Sequence, residues 1–127
     1  MNYSKDCPKD CPPVDAVDVQ GSIFRIVRQC PPTVSDFQTH AESGKALTAV
    51  GKRVCLRFGL SVFNRFDDAA HHRELFPDLG KGIAMATLNA AHGKAKATGK
   101  PPHQTWWPYE GVDRAALFSC VESAQVT

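Results

Sequence analysis

Seven residues, Ser22–Arg28 (SIFRIVR), alternate strictly, with Ile23, Arg25 and Val27 on one side and Phe24, Ile26 and Arg28 on the other. A period of two, filled with β-branched and aromatic residues, is the signature of a strand. The run stops at Cys30-Pro31-Pro32, because proline cannot donate to a sheet ladder. Three more short extended segments follow: Leu60–Phe63 (LSVF), Ile83–Leu88 (IAMATL) and Thr105–Tyr109 (TWWPY). Pro108 suggests that the last is an edge strand.

Helical signals lie between them. Thr33 or Ser35 caps a helix over residues 34–43, with Asp36 in its first turn and Val34, Phe37 and Ala41 as its apolar stripe. Asp67 caps a second helix over 68–76, ended by Pro77 and Gly80. Residues 46–57 and Arg114–Val121 fit either a helix or a strand. Residues 89–102, rich in Gly, Lys and Ala, read as a long mobile loop. This order predicts the α+β class: one small domain, with a mixed or antiparallel sheet of about four strands and helices packed on it. Residues 1–20, with prolines at 8, 12 and 13, read as an irregular arm, and residues 21–127 as the domain.

A chain of 127 residues, 43% hydrophobic and 22% charged, is long enough for one core. That balance disfavours collagen, coiled coils, disulfide-dense scaffolds and disordered chains. No run approaches the roughly 18 apolar residues that span a bilayer, so no membrane partner is expected. The first residues contain no apolar signal segment. Five cysteines cannot all pair internally, and they are read as reduced thiols of a cytoplasmic protein. Cys7 and Cys11 form a C-x3-C pair with Cys30 downstream, but no second paired motif completes a zinc set, so neither metal nor cofactor is assigned. His71 and His72 diverge by about 100° around a helix and would not share an ion.

Charge is uneven. Residues 1–20 hold four acids and two lysines, whereas residues 45–100 hold ten basic residues and four acids. Lys94, Lys96 and Lys100 run into Trp106, Trp107 and Tyr109. Basic and aromatic side chains at that spacing suit a nucleotide or a nucleic acid, the expected anionic partner of a small binding module. Adjacent tryptophans on a strand face opposite sides, so one core readily takes only one of them. The Gly-Lys pairs (Gly80-Lys81, Gly93-Lys94 and Gly99-Lys100) lack the remainder of a phosphate-loop pattern.

A second reading is enzymatic. Arg25 would grip a phosphate, His103 would act as acid or base, and Glu110 would orient or polarise a nucleotide-like substrate. Arg25, Ser61 and then Glu110 or Glu122 follow one another along the chain. This order resembles ADP-ribosyltransferase toxins, whose Arg, Ser and Glu come from successive strands. The resemblance implies glycosidic chemistry on a dinucleotide. The chain departs from that pattern, with Leu60-Ser61-Val62 in place of Ser-Thr-Ser and no Glu/Gln-x-Glu pair. Gly59-Leu60-Ser61-Val62 also lacks the second glycine of a serine-hydrolase elbow. A third reading is a protein partner or homodimer using the tryptophan edge.

Overall fold

A computed structural model describes residues 2–4, 6–44 and 52–122. The fold is α+β, and the described residues form two antiparallel sheets and three α-helices. Strands β1 (Val17–Asp18), β2 (Gly21–Val27), β3 (Leu60–Val62), β4 (Gly82–Leu88), β5 (Gly93–Ala97), β6 (Gln104–Pro108) and β7 (Ser119–Glu122) alternate with α1 (Lys52–Leu56), α2 (Phe66–Leu75) and α3 (Arg114–Leu117). One sheet has the order β1-β5-β6-β3 and the other β2-β4-β7. A single bridge, Phe24 to Phe63, stitches β2 to the end of β3 and links the two sheets.

The four strands expected from the sequence all form. The remaining elements depart from expectation for identifiable reasons. Residues 34–43 make only a short 3-10 turn, Val34–Phe37. There the Asp36 carboxylate accepts from the backbone N–H groups of Thr33 and Arg28, which holds the segment as a turn rather than starting a longer helix. Helix α2 begins at Phe66, with Arg65 as its N-cap. Asp67 and Asp68 therefore lie in its first turn, where the helix dipole favours them. Residues 46–51 of the ambiguous 46–57 segment lie outside the described residues, and Lys52–Leu56 is helical. Residues 114–121 are both things in turn, one turn of helix and then a strand.

The expected loop over 89–102 is largely ordered. A 3-10 turn at Ala90–His92 leads into β5, and a tight turn returns the chain as β6. Alternation of Gly, Lys and Ala gave no apolar signal for β5, because only Gly93 and Ala95 face inward and neither is large. Strand β6 consequently lies inside its sheet between β5 and β3, which corrects the edge placement. Pro108 is tolerated because it is the last residue of the strand.

The two indoles define two cores. Trp106 points between the sheets and packs with Ile23, Phe37, Leu60, Val62 and Phe118. Trp107 points the other way, into a smaller cluster built by residues near the N-terminus: Tyr3, Cys7, Cys11 and Ala16, with Cys55 and Phe58. Each indole N–H has a carbonyl partner, His92 for Trp106 (3.1 Å) and Cys55 for Trp107 (3.0 Å). Strand β1 adds to β5, and the Val19 N–H donates to the Gly93 carbonyl, so this segment lies on the sheet.

The cysteines correct the reduced-thiol reading. Cys11 bonds to Cys55 and Cys30 to Cys120, leaving Cys7 as the free thiol. The first disulfide ties the N-terminal segment to α1, and the second ties the turn after β2 to β7. Among the described residues, no helix is long and apolar enough to cross a membrane, and no group of three or more His, Cys, Asp or Glu side chains is placed to hold a metal ion.

Candidate active site

The strand-to-strand bridge at Phe24 and Phe63 sets Arg25 beside Ser61. Leu60 and Val62 are buried, so alternation along β3 turns Ser61 outward. The Arg25 guanidinium lies across this junction. Its Nη1 donates to the Ser61 carbonyl (2.8 Å) and its Nε to the Asp36 carbonyl (2.9 Å). The Phe37 ring lies 5.8 Å beneath its Cζ. Burial lowers the Arg25 pKa to about 10, with the Arg114 charge adding to that and Asp36 opposing it. Arginine remains charged at neutral pH, so the junction carries a fixed cation.

His103 approaches Ser61 from the β5–β6 turn. Its Nε2 lies 2.8 Å from Ser61 Oγ. Its Nδ1 lies 3.1 Å from both the carbonyl oxygen and the hydroxyl of Thr98, and that hydroxyl meets Thr105 Oγ1 at 2.7 Å. In the tautomer that uses the Thr98 carbonyl, Nδ1–H donates to it and the Nε2 lone pair faces the serine hydroxyl. The turn itself fixes this geometry, since Thr98 N–H donates to the His103 carbonyl and His103 N–H to the Lys100 carbonyl.

A cleft of about 180 Å³ opens at Ser61, lined also by Arg25, Gln38, His40, His72 and Leu79, with His103 behind Ser61 and outside the lining. His72, from α2, is half-buried between Phe63 (5.0 Å) and Phe76 (4.7 Å), with the His103 ring 6.2 Å away. Burial lowers its pKa first, and the neighbouring His103 and His71 lower it further. His71, the next residue back along the helix, is exposed. The Arg57 Nη1 sits 2.8 Å from His40 Nδ1 at the rim. Among the described residues no carboxylate lines this cleft, while Arg25 does, so its field favours an anion.

The structure thus brings two of the three residues proposed for catalysis, Arg25 and His103, onto Ser61. Glu110 lies elsewhere, lining a larger cavity of about 500 Å³ with Tyr3, Cys7, Phe58 and Arg114. Glu122 is on β7, paired with Arg73 at 2.6 Å.

The residues proposed for ligand stacking are also displaced from that role. Trp106 and Trp107 are both 0% exposed, so neither presents a face to a partner. Tyr109 stacks on Tyr3 at 4.9 Å. Lys94 and Lys96 share one face of β5 and pair with Asp18 (3.2 Å) and Asp15 (2.8 Å). Lys100 is exposed in the β5–β6 turn. The physical reason is the strand at 93–97, which turns a supposed basic loop into a ladder facing acidic residues of the N-terminal segment.

Thr98 was not singled out from the sequence, since nothing local distinguishes it. His72 stood out only as half of a His-His pair. Position 98 in the tight turn before β6 is the signal that would have found Thr98, once β5 was known to be a strand.

No protein-family model matches the chain, and neither a curated protein nor a solved structure matches it.

Proposed function

We propose that the chain is an enzyme acting on a phosphate-bearing, nucleotide-like substrate in the cleft at the junction of the two sheets. The observation that carries this reading is the convergence of a fixed cation and an acid–base pair. Arg25 and His103 both bond to Ser61, one through its carbonyl and the other through its hydroxyl. A carboxylate-free cleft with a guanidinium at its floor and histidines at its side suits a phosphate or diphosphate. Exposed apolar residues at the mouth (Leu56, Leu79) suit the organic remainder of such a substrate.

The neighbouring Arg25 and Ser61, from successive strands, fit the order seen in ADP-ribosyltransferase toxins. A catalytic carboxylate does not join them in this cleft, so phosphate chemistry is favoured over glycosidic transfer. The binding-module reading loses its basis in stacked indoles. An interaction subunit draws instead on exposed Leu75, Phe76 and Leu79, which light scattering of the purified protein would test. The cytoplasmic reading rested on unpaired thiols, whereas two disulfides favour an oxidising compartment.

Thermal-shift measurements with ADP, ATP, ADP-ribose and inorganic pyrophosphate test the cleft. A ligand present at a hundred times its Kd stabilises the native state by about 2.7 kcal/mol. The expected result is a rise in melting temperature that is lost in Arg25→Gln and weakened in His72→Ala and Gln38→Ala. Absence of a shift with every phosphate compound overturns the reading.

A further inference from the structure

We infer that Ser61 is a covalent nucleophile, activated by His103, that accepts a phosphoryl group. This rests on the reading of the cleft as an active site and adds to it the bond that forms. Three observations support it. Ser61 Oγ is exposed on the cleft side of β3, while both neighbours are buried. His103 Nε2 lies 2.8 Å from that oxygen. The Thr98 carbonyl lies 3.1 Å from Nδ1, an acceptor for the tautomer in which Nε2 is a base.

Nucleophile, base and orienting acceptor therefore stand in the sequence of contacts that serine catalysis requires, with a main-chain carbonyl in the place often held by a carboxylate. Such a carbonyl orients the ring but brings no negative charge to stabilise the imidazolium. A phosphate ester suits this arrangement, because Arg25 supplies the positive charge where the phosphoryl oxygens would gather. Thr98 acts as a positioning residue, and its hydroxyl is itself held by Thr105.

Ser61 Oγ attacks phosphorus as its proton passes to His103 Nε2. The bond from phosphorus to the leaving oxygen breaks, and that oxygen takes the proton from His103. Water then attacks the phosphoserine, giving one proton to His103, which returns it to Ser61 Oγ as the serine leaves. The net reaction consumes one water and yields an alcohol, or a shorter phosphate, together with phosphate.

The test uses the full chain and a biotinylated alkyl fluorophosphonate. This probe phosphonylates an activated serine with loss of fluoride, whatever the natural substrate. Intact mass and peptide mapping should show one adduct, on Ser61, absent from Ser61→Ala. In His103→Gln, confirmed as folded by circular dichroism, the labelling rate should fall by about 100-fold, within the range for loss of a positioned base. Thr98→Val, which keeps the carbonyl, should slow labelling far less.

A folded wild-type protein that takes no adduct at Ser61 overturns the inference, as does equal labelling of His103→Gln. The two readings fail separately. A nucleotide that stabilises the fold without any Ser61 adduct leaves the cleft standing and removes the nucleophile. An adduct without a nucleotide response keeps the nucleophile and removes the nucleotide.

Discussion

Replacing Cys11 and Cys55 together by alanine measures what the N-terminal segment contributes to stability. A cross-link restricts the unfolded chain by an amount that grows with the logarithm of the loop it closes. The separation of Cys11 and Cys55 is 44 residues. In the chain-entropy account, that loop corresponds to about 4 kcal/mol at 25 °C. Native packing changes little on substitution, because the alanine methyls keep the β-carbons of both side chains in the small core around Trp107. A loss of ~3–4 kcal/mol is therefore expected, within the 5–15 kcal/mol that domains typically possess. For a chain of this size the melting temperature should fall by roughly 10–20 °C while the protein stays folded at room temperature.

Calorimetry reads the shift directly. Tryptophan fluorescence reads it locally, because the Trp107 indole donates to the Cys55 carbonyl. A thiol count supplies the control. Unreduced protein, unfolded in denaturant, should expose one thiol, that of Cys7. In the native state this thiol should react slowly, since burial pushes its pKa up and leaves less thiolate. Five reactive thiols in the unreduced protein, or an unchanged melting temperature in the double variant, would refute the reasoning.

Three further outcomes are expected. Trp107→Ala should cost ~3–5 kcal/mol, the usual range for emptying a buried aromatic site, and hydrogen exchange should quicken at the amides of Cys11 and Ala16, which share its cluster; protection unchanged at both would show that the second core is not cooperative with the N-terminal segment. Gly93→Ala should lower the urea midpoint by the equivalent of ~1–3 kcal/mol, because φ there is 127° and an added Cβ would strike the Trp107 carbonyl and Pro108. His72 has a folded pKa below its unfolded value of about 6.5, so its contribution is complete above that value and is lost as pH falls through the folded pKa. Urea titrations at pH 7.5 and 5.5 should show a drop in stability that shrinks in His72→Phe, and an identical drop in the variant would assign the effect to other groups.

The strands at 21–27, 82–88 and 104–108 were legible because their apolar residues alternate or run continuously and end at Pro, Gly or Asn. Strand β5 was not, since Gly93 and Ala95 bury too little to register as an apolar face and lysines separate them. Missing β5 had a chain of consequences. It hid the ladder that pairs Lys94 and Lys96 with Asp18 and Asp15, it made β6 look like an edge, and it left Trp107 without an obvious cover. The cover comes from Tyr3, Cys7, Cys11 and Ala16, in a segment with few apolar side chains that reads as irregular, yet a disulfide and Trp107 hold these residues in place. Arg25 and His103 were recognisable from residue type and neighbourhood. Their meeting at Ser61 was not, because it depends on the Phe24–Phe63 bridge between sheets, a single long-range pairing without a local signature.

A strand with a large ring on each side cannot slide. Shifting β6 by one position would push Trp106 and Trp107 each into the hollow shaped for the other, and would drag the preceding turn out of line with β3. The same pair of rings that closes two cores therefore serves as a vernier for the imidazole three residues upstream, holding a hydrogen-bond distance near the surface by means of wedges in the interior. Insertions or deletions between 103 and 107 should accordingly harm the chemistry and the fold together, whereas changes of length beyond Glu110 need not touch the alignment of His103 with Ser61.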